Sequence, residues 1–232
     1  LHGNDVRYMM PPTSVLANYT AEDVKQWLTP ALTTAPIELS IVGDFTEETL
    51  LPLLLKTVGA LPKRIADTTD LSPLRQVKTP DAPARRDESY DSKVAQAVAM
   101  INWKTKGLRD NTKESRRLNV LSEILSDRLR EEIREKLGAS YSPNAGVDGS
   151  DALEKYGFIS AMSVGKPEDL EKLLDVILNI GDELAAKGAT ADELDRALKP
   201  TLAAMDKTLR DNSYWLSTVM MRCQEKPEIL DL

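Results

Sequence analysis

Residues 111–143 of the chain read NTKESRRLNVLSEILSDRLREEIREKLGASYSP. The apolar residues of this stretch recur every three or four positions: Leu118, Leu121, Leu125, Leu129, Ile133 and Leu137. This spacing places them in one stripe along a helix, and Gly138 is the expected C-terminal stop. The sequence therefore predicts an amphipathic helix over about residues 111–137 that packs on the rest of its domain through one apolar face.

The segments on either side of this helix have the composition of strands. Residues 92–103 carry apolar side chains on both alternating faces, which indicates a strand covered on both sides. Residues 141–147 and 156–164 have the pattern of two strands around a turn rich in Gly, Asp and Ser. We expect these strands to form the sheet on which the long helix packs.

Two more helices are expected after the strands. The first begins at Pro167 and ends at Gly188. The second begins with a capping box of Thr190 and Glu193, and Pro200 must kink or break it. The order of strand, long helix, strand pair and helices predicts an α+β domain with helices packed on one sheet.

The beginning of the chain predicts the order helix, strand, helix. A capping box over residues 20–23 precedes the first helix, in which Trp27 is expected to be a packing aromatic. Residues 37–42 are a short apolar run that predicts a strand, and residues 46–58 predict a second helix.

Proline and polar residues separate these elements from the α+β body. Residues 66–90 are polar and punctuated by proline, which is the composition of a connecting arm. We therefore divide the chain into a helix–strand–helix segment over residues 1–65, a linker arm over residues 66–90 and a body over residues 91–232.

The charge and residue usage of the chain exclude several classes of protein. The 30 Lys and Arg against 37 Asp and Glu give a net charge of −7, which argues against a nucleic-acid partner. No apolar stretch approaches the roughly 18–20 residues of a membrane span. The first residues have no feature of a signal peptide, and the chain reads as a piece of a longer protein.

The single cysteine and the single histidine exclude further kinds of site. Cys223 alone cannot form an internal disulfide framework or a zinc site with several thiolates. His2 alone cannot supply two histidine ligands, and its position near the beginning of the chain predicts a frayed end without a role. A Cys/His or Ser/His catalytic triad is therefore not expected.

Arg134 and Tyr141 are the residues best suited to chemistry. Arg134 lies in the last turn of the predicted helix, and Tyr141 begins the next strand seven residues later, after Gly138 lets the chain reverse. A guanidinium and a phenol in one space would suit a peptide carbonyl or a developing oxyanion. The spacing also fits a structural interpretation, in which Arg134 stabilises the helix C-terminus and Tyr141 is a half-buried strand residue.

This stretch resembles the Arg–x6–Tyr motif of the M16 (pitrilysin/insulinase-like) zinc metallopeptidases, found in the C-terminal half of the active pair. Residues 37–44, IELSIVGD, are similar to the VVGD-type strand of the family. Residues 59–64, GALPKR, are similar to the exit that follows this strand in large bacterial members. The resemblance covers nearly the whole chain and implies an M16-type αβ-roll, an antiparallel or mixed sheet with helices packed on one face.

The resemblance also implies a function in peptide hydrolysis. Arg134 and Tyr141 would hold the substrate and stabilise the tetrahedral intermediate opposite the zinc. The family binds zinc through an H-x-x-E-H motif and a downstream Glu, and this chain has no such motif. The implied protein is the C-terminal, zinc-free domain of a large bacterial member, inactive on its own, with no metal in this chain.

The zinc and the partners of this domain would lie elsewhere. The resemblance implies a zinc-bearing N-terminal half, in the same protein or in a partner subunit, and a peptide substrate. The compartment stays open, and a periplasmic parent protein would match large bacterial members, which are often exported.

The rolls of this family are homologous, and this suggests how the chain is completed. Residues 1–65 would be the tail of one roll, and residues 91–232 the front of the last, C-terminally truncated roll. We hypothesise that residues 20–60 supply the strand that the truncated roll lacks. Residues 37–42 would then pair with strands from beyond residue 88.

Two other functions stay open. One is a non-catalytic structural or binding subunit on the same fold, like the core proteins of the respiratory bc1 complex. The other is a generic α+β protein-interaction module. The presence of both Arg134 and Tyr141 favours the peptidase, because a scaffold has no need of both. An H-x-x-E-H motif in the upstream sequence of the parent protein would indicate the peptidase, and its absence would indicate the scaffold.

Overall fold

The computed structural model describes residues 2–3, 5–64, 70–80, 82–107, 112–136, 142–150, 152–223 and 229. The described chain forms two compact units. The first comprises Leu1–Met9 and Leu71–Leu202, and the second comprises Met10–Asp70 and Ala203–Leu232.

The first unit contains a three-stranded antiparallel sheet in the order β1-β3-β2. The strands are β1 Ala97–Lys104, β2 Asn144–Gly149 and β3 Gly157–Gly165. Along β3 the side chains alternate between buried and half-buried, so that one face of the sheet carries the core. β1 and β2 are the two edges, and all three strands come from residues beyond 88, as predicted.

The described residues also form helices along the chain. The α-helices are α1 Thr13–Leu16, α2 Ala21–Thr34, α3 Glu47–Lys56, α4 Thr112–Leu129, α5 Leu170–Lys187, α6 Ala191–Thr208 and α7 Asn212–Tyr214. Wider π-helical turns follow α4 over Arg130–Lys136 and α7 over Trp215–Met220. Short 3-10 helices cover Val6–Tyr8, Val58–Ala60, Ser72–Arg75 and Pro167–Asp169.

The core of the first unit lies between the sheet and two helices, α4 and α5. Its buried residues are Ala99, Leu125, Leu129, Ile133, Ile159, Ala161, Leu173, Ile177 and Ile180. Three of them belong to the apolar stripe predicted for α4, and Leu118 and Leu121 pack at its margin. The predicted α+β architecture with helices on one face of a sheet is thus confirmed, while Leu137 and Gly138 lie outside the described residues.

The capping box at the beginning of α6 also forms as predicted, and Pro200 does not end this helix. α6 continues from Ala191 to Thr208 with Pro200 inside it. Pro200 cannot donate to the carbonyl of Arg196, four residues earlier. Both residues are exposed, so water has access to that carbonyl and the helix continues.

The strand predicted over residues 37–42 is wrong for this chain. The structure places no strand within these described residues, and Ile37 and Leu39 are exposed. The hypothesis that they complete the sheet within one chain is therefore also wrong. A strand is defined by hydrogen bonds to a neighbouring strand, and the described part of the chain provides none for this run.

The frayed end predicted at His2 is also wrong. The ring of His2 stacks on Tyr8 with 3.9 Å between ring centroids, and its Nε2 lies 2.5 Å from the hydroxyl of Tyr156. Burial lowers the pKa of His2, and burial also raises the pKa of Tyr156. His2 is held in place because the beginning of the chain packs on Tyr156, which directly precedes β3. The local composition around His2 does not reveal this contact.

Part of the predicted linker arm packs in the first unit. Arg7 Nη2 donates to the carbonyl of Gln76 at 2.6 Å, and the amide of Glu154 donates to the carbonyl of Arg75 at 2.9 Å. Residues 71–76 are therefore fixed to the unit, although their composition is polar. The division of the chain into successive rolls stays a prediction.

The second unit has few buried side chains. Among its described residues, Val219 and Ile229 are the buried apolar ones, and none between residues 10 and 64 is buried. Trp27, predicted to be a packing aromatic, is 78% exposed. The apolar sides of α2 and α3 therefore face solvent in this chain.

None of the helices in the described ranges has both the length and the hydropathy that a membrane crossing requires.

A glycine in α5 allows the helix to approach the sheet closely. A Cβ atom at Gly181 would lie 2.6 Å from Cζ2 of Trp103 in β1, which is closer than real contacts allow. The absence of a side chain at Gly181 therefore lets the indole of Trp103 lie between helix and sheet.

We predict that Gly181→Ala destabilises the chain by about 1–3 kcal/mol, because the indole must move to admit the methyl group. Urea unfolding measures this change. Gly146→Ala is the matched control, since a Cβ there meets nothing within 4 Å. A Gly181→Ala variant as stable as the Gly146→Ala variant would contradict the close packing of Trp103 against Gly181.

Candidate functional site

Arg134 lies in the π-helical turns that extend α4. Its side chain is exposed, and none of the described residues makes a hydrogen bond or ion pair with its guanidinium. Wide turns of this kind occur often at functional sites. Arg134 therefore presents a positive charge and several donors to solvent.

The backbone under Arg134 is held firmly, although its side chain is not. Leu129 and Ile133, which precede it in the same helical segment, have 0% exposure. These two anchors fix the direction in which the helix leaves the core, so the position of Arg134 is set by packing.

Tyr141, the second predicted site residue, lies outside the described residues. Its proximity to Arg134 therefore stays a prediction. The chain is described again from Ser142, which is exposed, and Pro143, which is buried just before β2 begins at Asn144.

A residue that sequence reasoning missed joins α4 to β2. The side-chain oxygen of Ser126 accepts a hydrogen bond from the amide of Ala145 at 2.7 Å and donates to the carbonyl of Ala145 at 3.1 Å. Ser126 precedes Leu129 by three residues and Ile133 by seven, so it lies on the apolar stripe. A serine on that stripe is the signal that could have revealed it.

A partly buried ion pair fixes α4 to the beginning of α6. Arg128 Nε donates to Oε1 of Glu193 at 2.6 Å, and its Nη2 donates to Oε2 at 3.0 Å. Glu193 also accepts from the amide of Thr190 at 2.8 Å. These bonds stabilise the charged carboxylate and lower the pKa of Glu193 to about 2, against the opposing effect of burial.

The sheet face away from the helices combines polar and apolar side chains. Ser160 Oγ lies 2.7 Å from Oδ1 of Asn102 and 3.0 Å from Oδ2 of Asp148, and with one proton it donates to one of the two. Further along the same face, Val98 and Met100 are exposed. This face can contact an extended polypeptide through both kinds of group.

The described residues do not provide a donor set that fits zinc. Within the ranges that the structure describes, no three His, Cys, Asp or Glu side chains come together to hold a metal ion. The sequence contains one histidine, and this residue is engaged with Tyr8 and Tyr156.

Comparison with known sequences identifies the class of domain. Residues 18–200 match the model of the peptidase M16 inactive domain. The chain is 27% identical over 255 residues to the chloroplastic stromal processing peptidase of Pisum sativum, with 91% of this chain and 20% of that protein covered. It thus spans about a fifth of the length of such relatives.

Solved structures share the fold. The periplasmic protease PqqL from Escherichia coli aligns with a TM-score of 0.71 at 17% identity, over 98% of this chain and 25% of that one. A protease from Helicobacter pylori aligns with a TM-score of 0.71 at 20% identity, over 95% of this chain and 55% of that one. Both similarities concern the fold.

The fold and the sequence match together define a domain of the M16 peptidase type, which confirms the resemblance seen in the sequence. The chain belongs to the family of peptidase M16 inactive domains.

The pKa of Glu193 predicts how stability depends on pH. Because the pKa is about 2 in the folded chain and 4.5 without these contacts, the ion pair stabilises fully above about pH 4.5. This contribution is lost as the pH falls towards 2. Glu193→Gln should lower the free energy of unfolding at pH 7 by about 1–3 kcal/mol, and the difference from wild type should shrink below pH 4.5.

Urea unfolding between pH 7 and pH 2.5 checks this expectation. Asp195→Asn is the control, because Asp195 pairs with Lys199 on the exposed side of the same helix. A loss at Glu193 that is independent of pH would show that the Arg128 pair is not its cause.

Proposed function

We propose that this chain is the zinc-free, inactive part of an M16 metalloendopeptidase, in which it helps to enclose a peptide substrate and to stabilise the transition state. The match to the M16 inactive domain supports this function. Because the sequence has one histidine and no H-x-x-E-H motif, we assign the metal to a catalytic half in the same protein or in a partner subunit.

The observation that carries this proposal is the exposure of the Arg134 side chain and its lack of a bonding partner among the described residues. An exposed guanidinium without a partner among the described residues lies on a helix that is anchored by fully buried side chains. A merely structural arginine at a helix end would be expected to bond to nearby carbonyls or carboxylates. Arg134 is instead exposed and open to a group from outside the described residues, as the proposed role requires.

The chemistry of the pair suits the intermediate of peptide hydrolysis. The tetrahedral intermediate carries a negative oxygen, and donors placed before the reaction stabilise it more than they stabilise the substrate carbonyl. Arg134 supplies a fixed charge with several N–H donors, and Tyr141 supplies one O–H. Both act from the side opposite the attacking group of the catalytic half.

The sheet of this domain is proposed to form part of the wall around the substrate. The face with Asn102, Ser160, Val98 and Met100 is not covered by α4 or α5, and it offers both hydrogen bonds and apolar contact. In the assembled peptidase, a peptide substrate would add as a strand to a sheet edge.

We also propose that residues 10–64 are the tail of a preceding roll of the parent protein. Their two main helices, α2 and α3, have apolar sides but no buried side chain among the described residues. Isolated helices of this length gain most of their stability from packing of an apolar face. The upstream part of the parent protein is the occupant that these faces require.

In the full-length parent protein, Arg134→Ala and Tyr141→Phe should each lower turnover of a peptide substrate by about 10²–10³, because each removes one positioned donor. Bound zinc, measured by metal analysis, should stay unchanged. Arg130→Ala is the matched control, since Arg130 lies four residues earlier on the same helical turns and pairs with Asp127.

Unchanged turnover in both site variants would contradict the catalytic role. The non-catalytic subunit would then be favoured, especially if both variants still bind the catalytic half with wild-type affinity.

Trp27→Ala tests the assignment of residues 10–64. In this chain the exposed indole contributes little, so the substitution should change the free energy of unfolding by less than about 0.5 kcal/mol. In the full-length parent protein it should cost about 3–5 kcal/mol, because the indole is then buried. Trp103→Ala is the control and should destabilise both proteins. Equal effects of Trp27→Ala in both would contradict the proposed packing.

A further inference from the structure

Arg7 bonds to a segment that is far away in the sequence. Its Nη1 donates to the carbonyl of Leu74, and its Nη2 donates to the carbonyl of Gln76 at 2.6 Å. The carbonyl between these two, that of Arg75, accepts from the amide of Glu154 at 2.9 Å. Three successive carbonyls of the arm are therefore bonded, two by Arg7 and one by the loop between β2 and β3.

The guanidinium of Arg7 is held in one orientation by a carboxylate. Its Nε donates to Oδ1 of Asp5 at 2.9 Å, and its Nη2 lies 2.5 Å from Oδ2. The hydrogen bonds from Arg7 lower the pKa of Asp5 to about 2, so this carboxylate is charged at neutral pH. The planar fork of an arginine presents its donors at fixed angles, whereas a lysine ammonium acts as a single point charge. The arrangement therefore requires an arginine.

Tyr8 fixes the chain next to Arg7 beside the beginning of β3. Its ring centroid lies 5.5 Å from that of Tyr156 and 3.9 Å from that of His2, which stacks on it. Tyr156 is buried and directly precedes β3. The position of Arg7 relative to the sheet is therefore set by an aromatic contact of its neighbour in the sequence.

The loop that meets the arm contains a strained residue. Lys155 has a φ of 51°, a left-handed conformation that costs energy for a residue other than glycine. It lies between Glu154, which bonds to the arm, and Tyr156, which contacts Tyr8. Strain of this kind persists where the surroundings fix it. The contacts on either side of Lys155 thus hold the loop in its bend.

These contacts lie where the chain passes between its two units. The chain leaves the first unit after Met9 and returns to it at Leu71, and both Arg7 and residues 74–76 lie close to these points. The bonds are near the surface, because the Arg7 side chain is 41% exposed and no residue from 71 to 78 is buried. Exposed hydrogen bonds open at a lower cost than a buried core does.

We propose that residues 5–8, 74–76 and 154–156 form a latch, with Arg7 as its central residue, that ties the two chain connections of the first unit together. The latch opens while the core between the sheet and the helices α4 and α5 stays folded. Its opening releases both connections at one time. This device is independent of the proposed peptidase function.

Amide hydrogen exchange of the whole chain tests the latch. Arg7→Ala should raise the exchange rate of the Glu154 amide by about tenfold or more, because the arm that accepts from this amide is released. The amides of β3 that face β1 should change by less than about twofold, since Arg7 is not part of the core. Arg7→Lys should behave like Arg7→Ala, because it keeps the charge and loses the fork.

Arg86→Ala is the matched control. Arg86 lies in the same arm and pairs with a carboxylate two residues away, that of Glu88, as Arg7 pairs with Asp5. This variant should leave the exchange rate of the Glu154 amide unchanged. If Arg7→Ala does not fold, Asp5→Ala takes its place, since it frees the guanidinium and should raise the same rate by about threefold or more.

Three results would overturn the latch. The first is an exchange rate of the Glu154 amide that stays at the wild-type value in the Arg7→Ala variant. The second is an equal rise at Glu154 and throughout β3 in a folded variant, because Arg7 would then support the whole unit. The third is wild-type exchange in the Arg7→Lys variant, because charge alone would then be sufficient.

Discussion

The first unit depends on the burial of apolar side chains from α4 and α5 against one face of a three-stranded sheet. Four of these side chains have at most 1% exposure: Leu129 of α4, Ile133 of the π-helical turns that follow it, and Leu173 and Ile177 of α5. Burying each side chain of this size contributes about 1.5–3 kcal/mol, more than an exposed ion pair contributes. Because this layer buries Leu129 and Ile133, the remaining sides of the helical extension face solvent, and Arg134 is exposed there. The exposure of Arg134 is therefore a consequence of core packing.

Features that depend on a few neighbouring residues could be predicted from the sequence. The stripe of α4 repeats with the helical period, and the capping box of Thr190 and Glu193 needs only residues three positions apart. Residues 37–42 show the limit of this reasoning. Their apolar pattern fits a strand, but a strand also needs a partner, and the pattern carries no information about where that partner lies. The structure describes residues 37–42, but no described strand pairs with them.

The candidate site could be predicted only in part, for the same reason. Arg134 was found because it precedes a glycine stop and a reversal of the chain, all within eight residues. The role of Ser126 could not be predicted, because its partner Ala145 is nineteen residues away. The contact also involves the backbone amide and carbonyl of Ala145, which are the same groups in almost every residue and so leave no signal in the sequence. His2 was misjudged because Tyr156 is 154 residues away. Contacts of this range become visible only when the fold brings the segments together.

The two units differ in how many of their apolar side chains they bury. The first unit buries a continuous core, whereas residues 10–64 bury no side chain among those described. The exposed Trp27 and the apolar sides of two helices form the kind of surface that marks an interaction site. Under the proposed function, this chain must hold its surface at a fixed position relative to a catalytic half. Apolar contact with a preceding roll, as proposed for residues 10–64, would fix that position over a large area without specific chemistry. Such contact would leave the exposed Arg134 free for the role proposed for it.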